Sequence, residues 1–273
     1  MIYSDKLYLT GNGQKIYVFS TVIHGGLTHG IGADLNSWDV ISFVHYDMEI
    51  TSLADLDPDE TRRLGTLKKI RCRMSKSLAI IGKARAGKGT LLNHLMSDRI
   101  TGGISQKRLR TTFIKGKCKK SVRHIDLADP IRACVENIYG PSVKKDRDKL
   151  ILIGQGLRAE DEFIWAKSWL RRAIHQCPVD VVFAVTDIRQ PSDLSFFNGL
   201  GFTTVKVVAD ETKRTEVIER VDGADTLHLM KDETESFVVE MTADFKVFND
   251  YSDFKDLDVQ APEALLNIFS VKE

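Results

Sequence analysis

The stretch that most constrains this chain is a glycine-rich segment, Gly82 to Thr90, which reads GKARAGKGT. A short apolar run, Leu78 to Ile81, precedes it and predicts a buried strand, and residues 91–96 have the apolar spacing of a helix. A strand, a glycine-rich turn and a helix in this order are the context in which backbone N–H groups bind phosphate. The G-x-x-x-x-G-K spacing also supplies a lysine, Lys88. The alternative, a chance glycine turn, explains neither the lysine nor the flanking elements.

Length and composition place the chain among ordinary globular proteins. Its 273 residues are 42% hydrophobic and 28% charged, which suits one large domain or two modest ones. No apolar run approaches the roughly 18 residues that span a bilayer. The N-terminus also lacks a basic stretch followed by an apolar one, so we expect neither membrane insertion nor secretion. Widely spaced cysteines favour free thiols in the cytoplasm; they are Cys72, Cys118, Cys134 and Cys177.

The formal net charge of +1 conceals a strongly basic segment. Between Lys107 and Arg123 there are eight lysines or arginines and no acidic residue, whereas acids outnumber bases from Asp210 onward. A basic segment in a chain with an anion-binding loop fits a phosphorylated substrate, and a solvated hairpin face explains it equally well. Nucleic-acid binding is the weaker alternative, because Phe113 is the one aromatic residue in this segment.

Residues 1–74 predict a small α+β appendage of unknown role. Residues 6–20 predict a β-hairpin around a glycine turn, and residues 38–50 predict a further β-rich stretch. Asp57 has the features of a helix cap, with the helix ending near Lys69 and a linker at residues 71–76. Three histidines match no metal-ligand spacing and are expected in loop or core positions; they are His24, His29 and His45.

From residue 75 onward, strands and helices alternate, which predicts a doubly wound, mainly parallel sheet flanked by helices. After the loop, strands are expected at residues 111–114, 122–125, 179–185, 203–208 and 245–248. Helices are expected from Pro130 to Gly140, with Ile131, Val135 and Ile138 facing inward, and at residues 163–174, 196–200 and 262–269.

Two polar features of this region are candidate parts of a site. Asp187 and Arg189 follow an apolar strand, at the end where open α/β sheets bind their ligands. Such an Asp-x-Arg sequence is also a common way to cap a helix. Residues 211–235 are polar and contain Gly223, which predicts a mobile flap over a site. The flap's basic residues are candidates for closing on a bound nucleotide, with a solvated face as the alternative; they are Lys213, Arg214 and Arg220.

Four sequence blocks, in matching order over about residues 76–269, resemble the deoxynucleoside monophosphate kinases of T-even-type bacteriophages. More distantly, the chain is similar to animal-type phosphomevalonate kinases, which add an element like residues 154–158 and the pair Ser192-Asp193. The first block is specific by itself and has the G-K-G-T ending typical of nucleoside monophosphate kinases. The second departs from both families, because Asp129 stands where they usually have glycine. The blocks are residues 82–90, 127–132, 187–190 and 249–252.

The resemblance implies a P-loop kinase fold for residues 75–273, and it leaves residues 1–74 outside both families. It implies phosphoryl transfer from ATP, with Mg²⁺, to a nucleoside monophosphate in the cytoplasm, which is the host's cytoplasm if a phage encodes the chain. No membrane partner is expected, and a nucleic-acid partner is not favoured. The oligomeric state stays open, with a homodimer among the alternatives.

The loop residues take the nucleotide-binding roles in this interpretation. The loop wraps the ATP phosphates, and Lys88 bridges the β- and γ-phosphates. Gly89 stands where many such loops place the hydroxyl that binds Mg²⁺, so the hydroxyl of Thr90 serves the phosphates more than the metal. Arg85 contacts either the transferred phosphoryl group or the acceptor phosphate, with a surface arginine as the alternative. The predicted nucleotide-binding residues are Gly82, Ala86, Gly87, Lys88, Gly89, Thr90 and Arg214.

Residues beyond the loop complete the predicted site. Asp187 orients Mg²⁺ through water or holds an arginine in place, and Arg189 stabilises charge on the moving phosphoryl group. Forked guanidinium groups match phosphate oxygens, so Arg132 and Arg158 are the predicted acceptor-phosphate ligands, with surface salt bridges as the alternative. Trp165 and Trp169 are available to stack on a base, but core packing is the preferred interpretation; their helix is amphipathic.

Three functions are therefore compatible with the sequence. The leading hypothesis is an ATP-dependent (deoxy)nucleoside monophosphate kinase. A phosphomevalonate-type kinase for a small phosphorylated acceptor is the second. The third is a non-catalytic nucleotide-binding regulatory or interaction protein, motivated by residues 1–74 and by Asp129.

Overall fold

The computed structural model describes most of the chain, and contacts divide it into two units. The N-terminal unit comprises residues 1–75, 125–180 and 192–201, and the sheet unit comprises residues 76–124, 181–191 and 202–273. The sequence predicts one division, at residue 74, whereas these units interleave along the chain. The described residues are 2–44, 48–50, 55–96, 110–114, 118–141, 147–176, 181–224, 227 and 233–251.

Five consecutive strands open the chain, and helices are interspersed with strands from residue 58 onward. In chain order the elements are β1 (Leu7–Thr10), β2 (Lys15–His24), β3 (Leu27–Asp34), β4 (Val40–Val44), β5 (Met48–Ile50), α1 (Pro58–Met74), β6 (Leu78–Ile81), α2 (Lys88–Met96), β7 (Arg110–Ile114), β8 (Cys118–His124), α3 (Asp129–Tyr139), α4 (Arg147–Glu160), α5 (Ile164–Gln176), β9 (Val182–Ile188), α6 (Pro191–Gly199), β10 (Thr203–Ala209), α7 (Glu211–Asp222), α8 (Glu233–Glu240) and β11 (Phe245–Asn249).

The N-terminal unit contains a five-stranded antiparallel sheet in the order β4-β3-β2-β1-β5. The predicted hairpin is confirmed, since β1 pairs antiparallel with β2 with Leu7 opposite Tyr17. The β-rich stretch at residues 38–50 is also confirmed as β4 and β5. The inward side chains of β2, including Tyr17 and Phe19, are fully buried, so this unit has a hydrophobic core of its own.

Helix α1 begins where the sequence predicts and ends later. The Asp57 side chain accepts a hydrogen bond from the backbone N–H of Glu60, and Glu60 accepts one from Asp57 in return, which forms a capping box. The helix continues to Met74, which is fully buried. The predicted end near Lys69 is therefore wrong, because the apolar face of the helix extends to Ile70 and Met74. The predicted linker at residues 71–76 is helical as far as Met74, and the boundary between the units falls at its end, between residues 75 and 76.

The capping residue Glu60 gives this unit a pH-dependent contribution to stability. Its Oε2 accepts a hydrogen bond from Lys15 Nζ at 2.6 Å, and this bond lowers the pKa of Glu60 against the opposing effect of burial. A lowered folded-state pKa means that the contribution is present above the unfolded value of about 4.3. It is lost as the pH falls through the folded value.

We therefore expect Glu60→Gln to lower the free energy of unfolding by about 2 kcal/mol at pH 7, because a charge-assisted hydrogen bond is lost. The difference from wild type should shrink as the pH falls below about 4.3 and through the lowered folded-state pKa, because the wild-type side chain then becomes neutral, as glutamine is. Urea unfolding at several pH values measures both effects. Asp59→Asn, on the exposed side of the same helical turn, is the matched control. A difference independent of pH would contradict the assignment.

Helices α3 to α6 complete the N-terminal unit, and α5 packs against α1 and β4. The amphipathic helix at residues 163–174 is confirmed as α5, which buries both Trp165 and Trp169. The Trp169 ring packs edge-on against Phe197, 4.9 Å between centroids, and its Nε1 donates to the carbonyl of Ile125. Core packing is thus confirmed for both tryptophans. The prediction that Ile138 faces inward is wrong, since it is 61% exposed at the end of α3.

The sheet unit contains a six-stranded sheet in the order β11-β10-β6-β9-β8-β7. The strands from β11 to β8 pair in parallel, and β7 returns antiparallel to β8 as a hairpin. The predicted mainly parallel, mixed α/β architecture is confirmed at this level. The strand β6 lies inside the sheet with all four residues fully buried, and β9 lies next to it. The loop that follows β6 therefore leaves the sheet between two parallel neighbours.

The structure corrects two predictions in this unit and leaves one outside its range. Strand β9 runs to Ile188, so Asp187 lies within the strand and Arg189 follows it. Residues 211–222, predicted as part of a mobile flap, form helix α7, which is capped by the Asp210 side chain. The predicted closing helix at residues 262–269 lies outside the described residues. Within the described part of the chain, no helix is long and apolar enough to cross a membrane.

Candidate functional site: a glycine-rich loop anchored by side chains

The glycine-rich segment forms the connection between strand β6 and helix α2. Strand β6 ends at Ile81 and α2 begins at Lys88, so the turn lies at the carboxyl end of a parallel strand, where open sheets bind ligands. Gly82 approaches the carbonyl of Val207 so closely that a Cβ atom would lie 2.7 Å from its oxygen. Gly87 has a φ of +99°, a conformation that strains any other residue. Glycine is therefore required at both ends of the turn.

Five consecutive carbonyl groups of the loop accept hydrogen bonds from side chains. The donors come from three places: the first residue of α2, helix α7, and the end of β11 with the two residues that follow it. The bonds are Lys88 Nζ to Gly82 O (2.7 Å) and Lys83 O (2.8 Å), Arg214 Nη1 to Ala84 O (2.9 Å), Tyr251 Oη to Arg85 O (2.6 Å) and Asn249 Nδ2 to Ala86 O (3.0 Å).

These bonds orient the peptide groups of the loop. In a trans peptide, the carbonyl and the following N–H point in opposite directions. The side chains that hold the carbonyls of Ala84 and Ala86 therefore turn the N–H groups of Arg85 and Gly87 to the other side of the loop. The first turn of α2 adds N–H groups that have no acceptor within the helix, together with the positive end of its dipole. Such an arrangement can bind an anion, and a phosphate chain in particular.

Two of the donor residues are kept able to donate to the loop carbonyls, Tyr251 by its raised pKa and Asn249 by the orientation of its amide. Burial raises the pKa of the Tyr251 hydroxyl, which keeps it a donor to Arg85 O. Asn249 is 7% exposed, and its Oδ1 accepts the backbone N–H of Tyr251 at 3.0 Å, so its amide nitrogen faces the loop. Both residues lie at the end of β11, in the fourth block of the family resemblance. The sequence singled out this block without giving either residue a role.

Arg214 has a different place from the one predicted. As part of a flap it was expected to close on a nucleotide, but it is 3% exposed on helix α7. Its guanidinium holds the carbonyl of Ala84 and also bonds to Glu211, whose pKa these hydrogen bonds lower. The neighbouring flap candidate Lys213 donates to the carbonyl of Asp250 at 2.6 Å, and Arg220 is exposed. The side chain of Arg214 thus contacts the loop at a backbone carbonyl.

Arg85 projects from the loop and pairs with an acid on helix α7. It has a φ of +60°, and its Nε and Nη2 lie 2.9 and 2.6 Å from the two carboxylate oxygens of Asp222. These hydrogen bonds raise the pKa of the Arg85 guanidinium. The side chain is 43% exposed. Its predicted contact with phosphate stays a prediction, and Asp222 is a partner that the sequence did not indicate.

Strand pairing brings Asp187 and Arg189 to the same edge of the sheet as the loop. Strand β9 runs parallel to β6, with Ile188 opposite Ile81. Asp187 is half-buried on β9, beside the buried Thr186, whose hydroxyl lies 3.0 Å from Nε2 of the exposed His124. The Nη1 of Arg189 donates to Glu235 at 2.7 Å. The structure therefore joins Arg189 to the loop region through an acid that sequence reasoning missed.

The predicted acceptor-phosphate residues belong to the N-terminal unit. Arg158, 11% exposed on α4, makes a paired contact with both carboxylate oxygens of the buried Asp193. Arg132 lies 2.6 Å from Asp129, which also pairs with Arg172. The departure from glycine at position 129 thus has a structural reason, since its carboxylate holds two arginines. The salt bridges that were the alternative interpretation are present, and the phosphate roles stay predictions.

The remaining sequence candidates have structural positions in the N-terminal unit. His24 and His29 pack against the ring of Phe163, with centroids 5.8 and 5.0 Å away, and His45 lies outside the described residues. In the part of the chain that the structure describes, no three histidine, cysteine or acidic side chains converge on a possible metal position.

The comparisons with known proteins give structural likeness at low sequence identity. No family model matches the chain, and no curated protein does. Among solved structures, the chain is similar to one described as "Crystal structure of TT1252 from Thermus thermophilus". The TM-score is 0.42 and the identity 16%, covering 71% of this chain and 97% of that one. A likeness at this level carries no functional argument.

Proposed function

We propose that the protein transfers the γ-phosphoryl group of ATP to a (deoxy)nucleoside monophosphate, on a P-loop kinase fold. One observation carries the proposal: side chains hold the carbonyls from Gly82 to Ala86, at the carboxyl end of a parallel strand. This leaves backbone N–H groups and the start of a helix for an anion. The family resemblance supplies the identity of that anion as the phosphate chain of ATP, and it supplies the acceptor.

In this reaction, the loop and Lys88 position the ATP phosphates and neutralise their charge. Phosphoryl transfer needs charge neutralisation and in-line positioning more than covalent chemistry by the protein. Lys88 Nζ bonds to two carbonyls of its own loop. The lysine therefore lies across the loop, within reach of phosphates bound there, and it exchanges these contacts for the β- and γ-phosphates. The hydroxyl of Thr90, in the first turn of α2, adds a donor for the same phosphates.

In this site, Mg²⁺ would be held more by the nucleotide than by the protein. The donors near the loop are oxygen atoms, the Asp187 carboxylate and the Thr90 hydroxyl, and oxygen is the ligand that Mg²⁺ prefers. Bound Mg²⁺ would neutralise charge on the β- and γ-phosphates. Asp187 would then hold a water of the ion's hydration shell, and Arg189 would stabilise charge on the group in transfer. Arg132 and Arg158 remain the proposed ligands of the acceptor phosphate.

An acceptor panel tests the proposal. The protein is supplied with ATP and Mg²⁺, and ADP formation is measured with each ribonucleoside and deoxynucleoside monophosphate and with phosphomevalonate. We expect ADP formation to depend on a nucleoside monophosphate. Turnover with phosphomevalonate alone would favour the second enzyme class. ATP binding, measured separately by calorimetry, without turnover of any acceptor would overturn the enzymatic proposal and favour a nucleotide-binding regulatory protein.

A further inference from the structure

A buried carboxylate on helix α8 joins the loop to the arginine that follows strand β9. Glu235 is 4% exposed, and both of its carboxylate oxygens lie 3.1 Å from the backbone nitrogen of Ala84. Its Oε1 also accepts a hydrogen bond from Arg189 Nη1 at 2.7 Å. Its Oε2 lies 3.7 Å from Nη1 of Arg214. One side chain thus contacts the loop, the end of β9 and helix α7.

Because Glu235 is buried, its contacts are needed to stabilise its carboxylate in the folded site. A carboxylate withdrawn from water needs hydrogen-bond donors and opposite charge, and Glu235 has both. Ala84 and Arg214 are each 3% exposed, so the loop side of the cluster is enclosed. The Arg189 side chain is 32% exposed and is the partner nearest to solvent. Glu235 therefore fixes the position of the Arg189 guanidinium relative to the backbone of the loop.

We infer that Glu235 is a positioning residue, which fixes Arg189 relative to the loop that binds the phosphates. The inference rests on the proposed function and adds a residue to it. A long arginine side chain samples many rotamers, and an enclosed carboxylate selects one of them. Catalysis by positioning depends on such selection, because a group that stabilises charge in transfer must be in place before the reaction. Glu235 acts through Arg189, and its hydrogen bonds with the Ala84 N–H attach it to the loop.

Two variants on helix α8 test whether Glu235 is a positioning residue. Glu235→Gln keeps one acceptor oxygen, turns the other into a donor NH2 group and removes the charge. Glu240→Gln makes the same change at an exposed position of α8. We expect kcat to fall about tenfold for Glu235→Gln, less than the roughly 100-fold that a 1 Å misplacement costs. The KM for ATP should change less than kcat, since the loop remains anchored at its five carbonyls. Glu240→Gln should behave as wild type, and equal behaviour of the two variants would overturn the inference.

A double-mutant cycle separates positioning from a merely structural role. If Glu235 acts through Arg189, then Glu235→Gln combined with Arg189→Gln loses no more activity than Arg189→Gln alone. Multiplicative losses in a wild-type protein that does transfer phosphate would overturn the inference and spare the proposed function. If the wild type binds ATP without turnover, the proposed function fails, and the same cycle is read on ATP affinity, where additive effects overturn the inference. If the wild type does not bind ATP, both fail.

Discussion

Replacement of Lys88 by alanine is expected to lower kcat for phosphoryl transfer by about 1,000-fold, the effect of removing one preorganised group from a developing charge. The lysine is the one full positive charge at the start of helix α2, and it lies across the loop in contact with Gly82 O and Lys83 O. Without it, the loop still offers N–H groups to the phosphates. We therefore expect ATP affinity to fall much less than the rate.

The fold is expected to survive this substitution. Two loop carbonyls lose a donor, which costs about 1–2 kcal/mol of unfolding free energy, while the carbonyls of Ala84 and Ala86 keep theirs. Single-turnover assays and urea unfolding measure the two effects side by side. Lys246→Ala removes the same charge from the exposed face of β11 in the same unit and is the control. Retention of wild-type turnover by Lys88→Ala would refute the proposed mechanism.

Local features of this site could be predicted because local sequence determines them. Three features lie within about 20 consecutive residues: a buried apolar strand, a turn with glycine where φ is positive, and an apolar helix face. All three could be predicted from the sequence. The capping box of α1 is similarly local, since Asp57 and Glu60 are one helical turn apart. Patterns of this length need no knowledge of the rest of the chain.

The partners of the loop could not be predicted, because the chain brings them from far away. Glu235 bonds to Ala84 across 151 positions, and Asn249 bonds to Ala86 across 163. The segment around Arg214 was interpreted as a flap because it is polar throughout. In the structure its polarity serves an enclosed ion-pair cluster, in which Arg214 is buried against Ala84 and Glu235. Composition alone does not distinguish a solvated charge from a buried and paired one.

The division into units shows the same limit at a larger scale. Residues 125–180 follow the parallel-sheet pattern in the sequence, yet their contacts group them with residues 1–75. The buried Trp169 illustrates the reason, since its ring packs against Phe196 and Phe197 of α6, about 30 positions further along the chain. Hydrophobic periodicity predicts that a helix has a buried face, and it does not indicate which core receives that face.

Replacement of Gly87 by alanine is expected to weaken ATP binding by about 100-fold, because the loop relieves two costs by leaving the conformation that binds phosphate, and ATP binding must restore that conformation. A residue other than glycine at a φ of +99° is strained by about 1–3 kcal/mol. The new Cβ would also lie 2.4 Å from Asn249 Nδ2, so Asn249 must move away and release the carbonyl of Ala86. That loss costs about 1 kcal/mol more and lets the Gly87 peptide rotate. Calorimetric titration with ATP and Mg²⁺ measures the affinity.

Gly89→Ala provides the matched stability control, because a Cβ at that position meets no atom within 4 Å and Gly89 lies inside helix α2. Alanine there favours the helix by about 1 kcal/mol, so its unfolding free energy should be at least that of wild type. Gly87→Ala should instead unfold at lower urea concentration. If Gly87→Ala bound ATP as well as wild type did, then the anchored carbonyl of Ala86 would not be what shapes the loop, and the central argument for phosphate binding would fail.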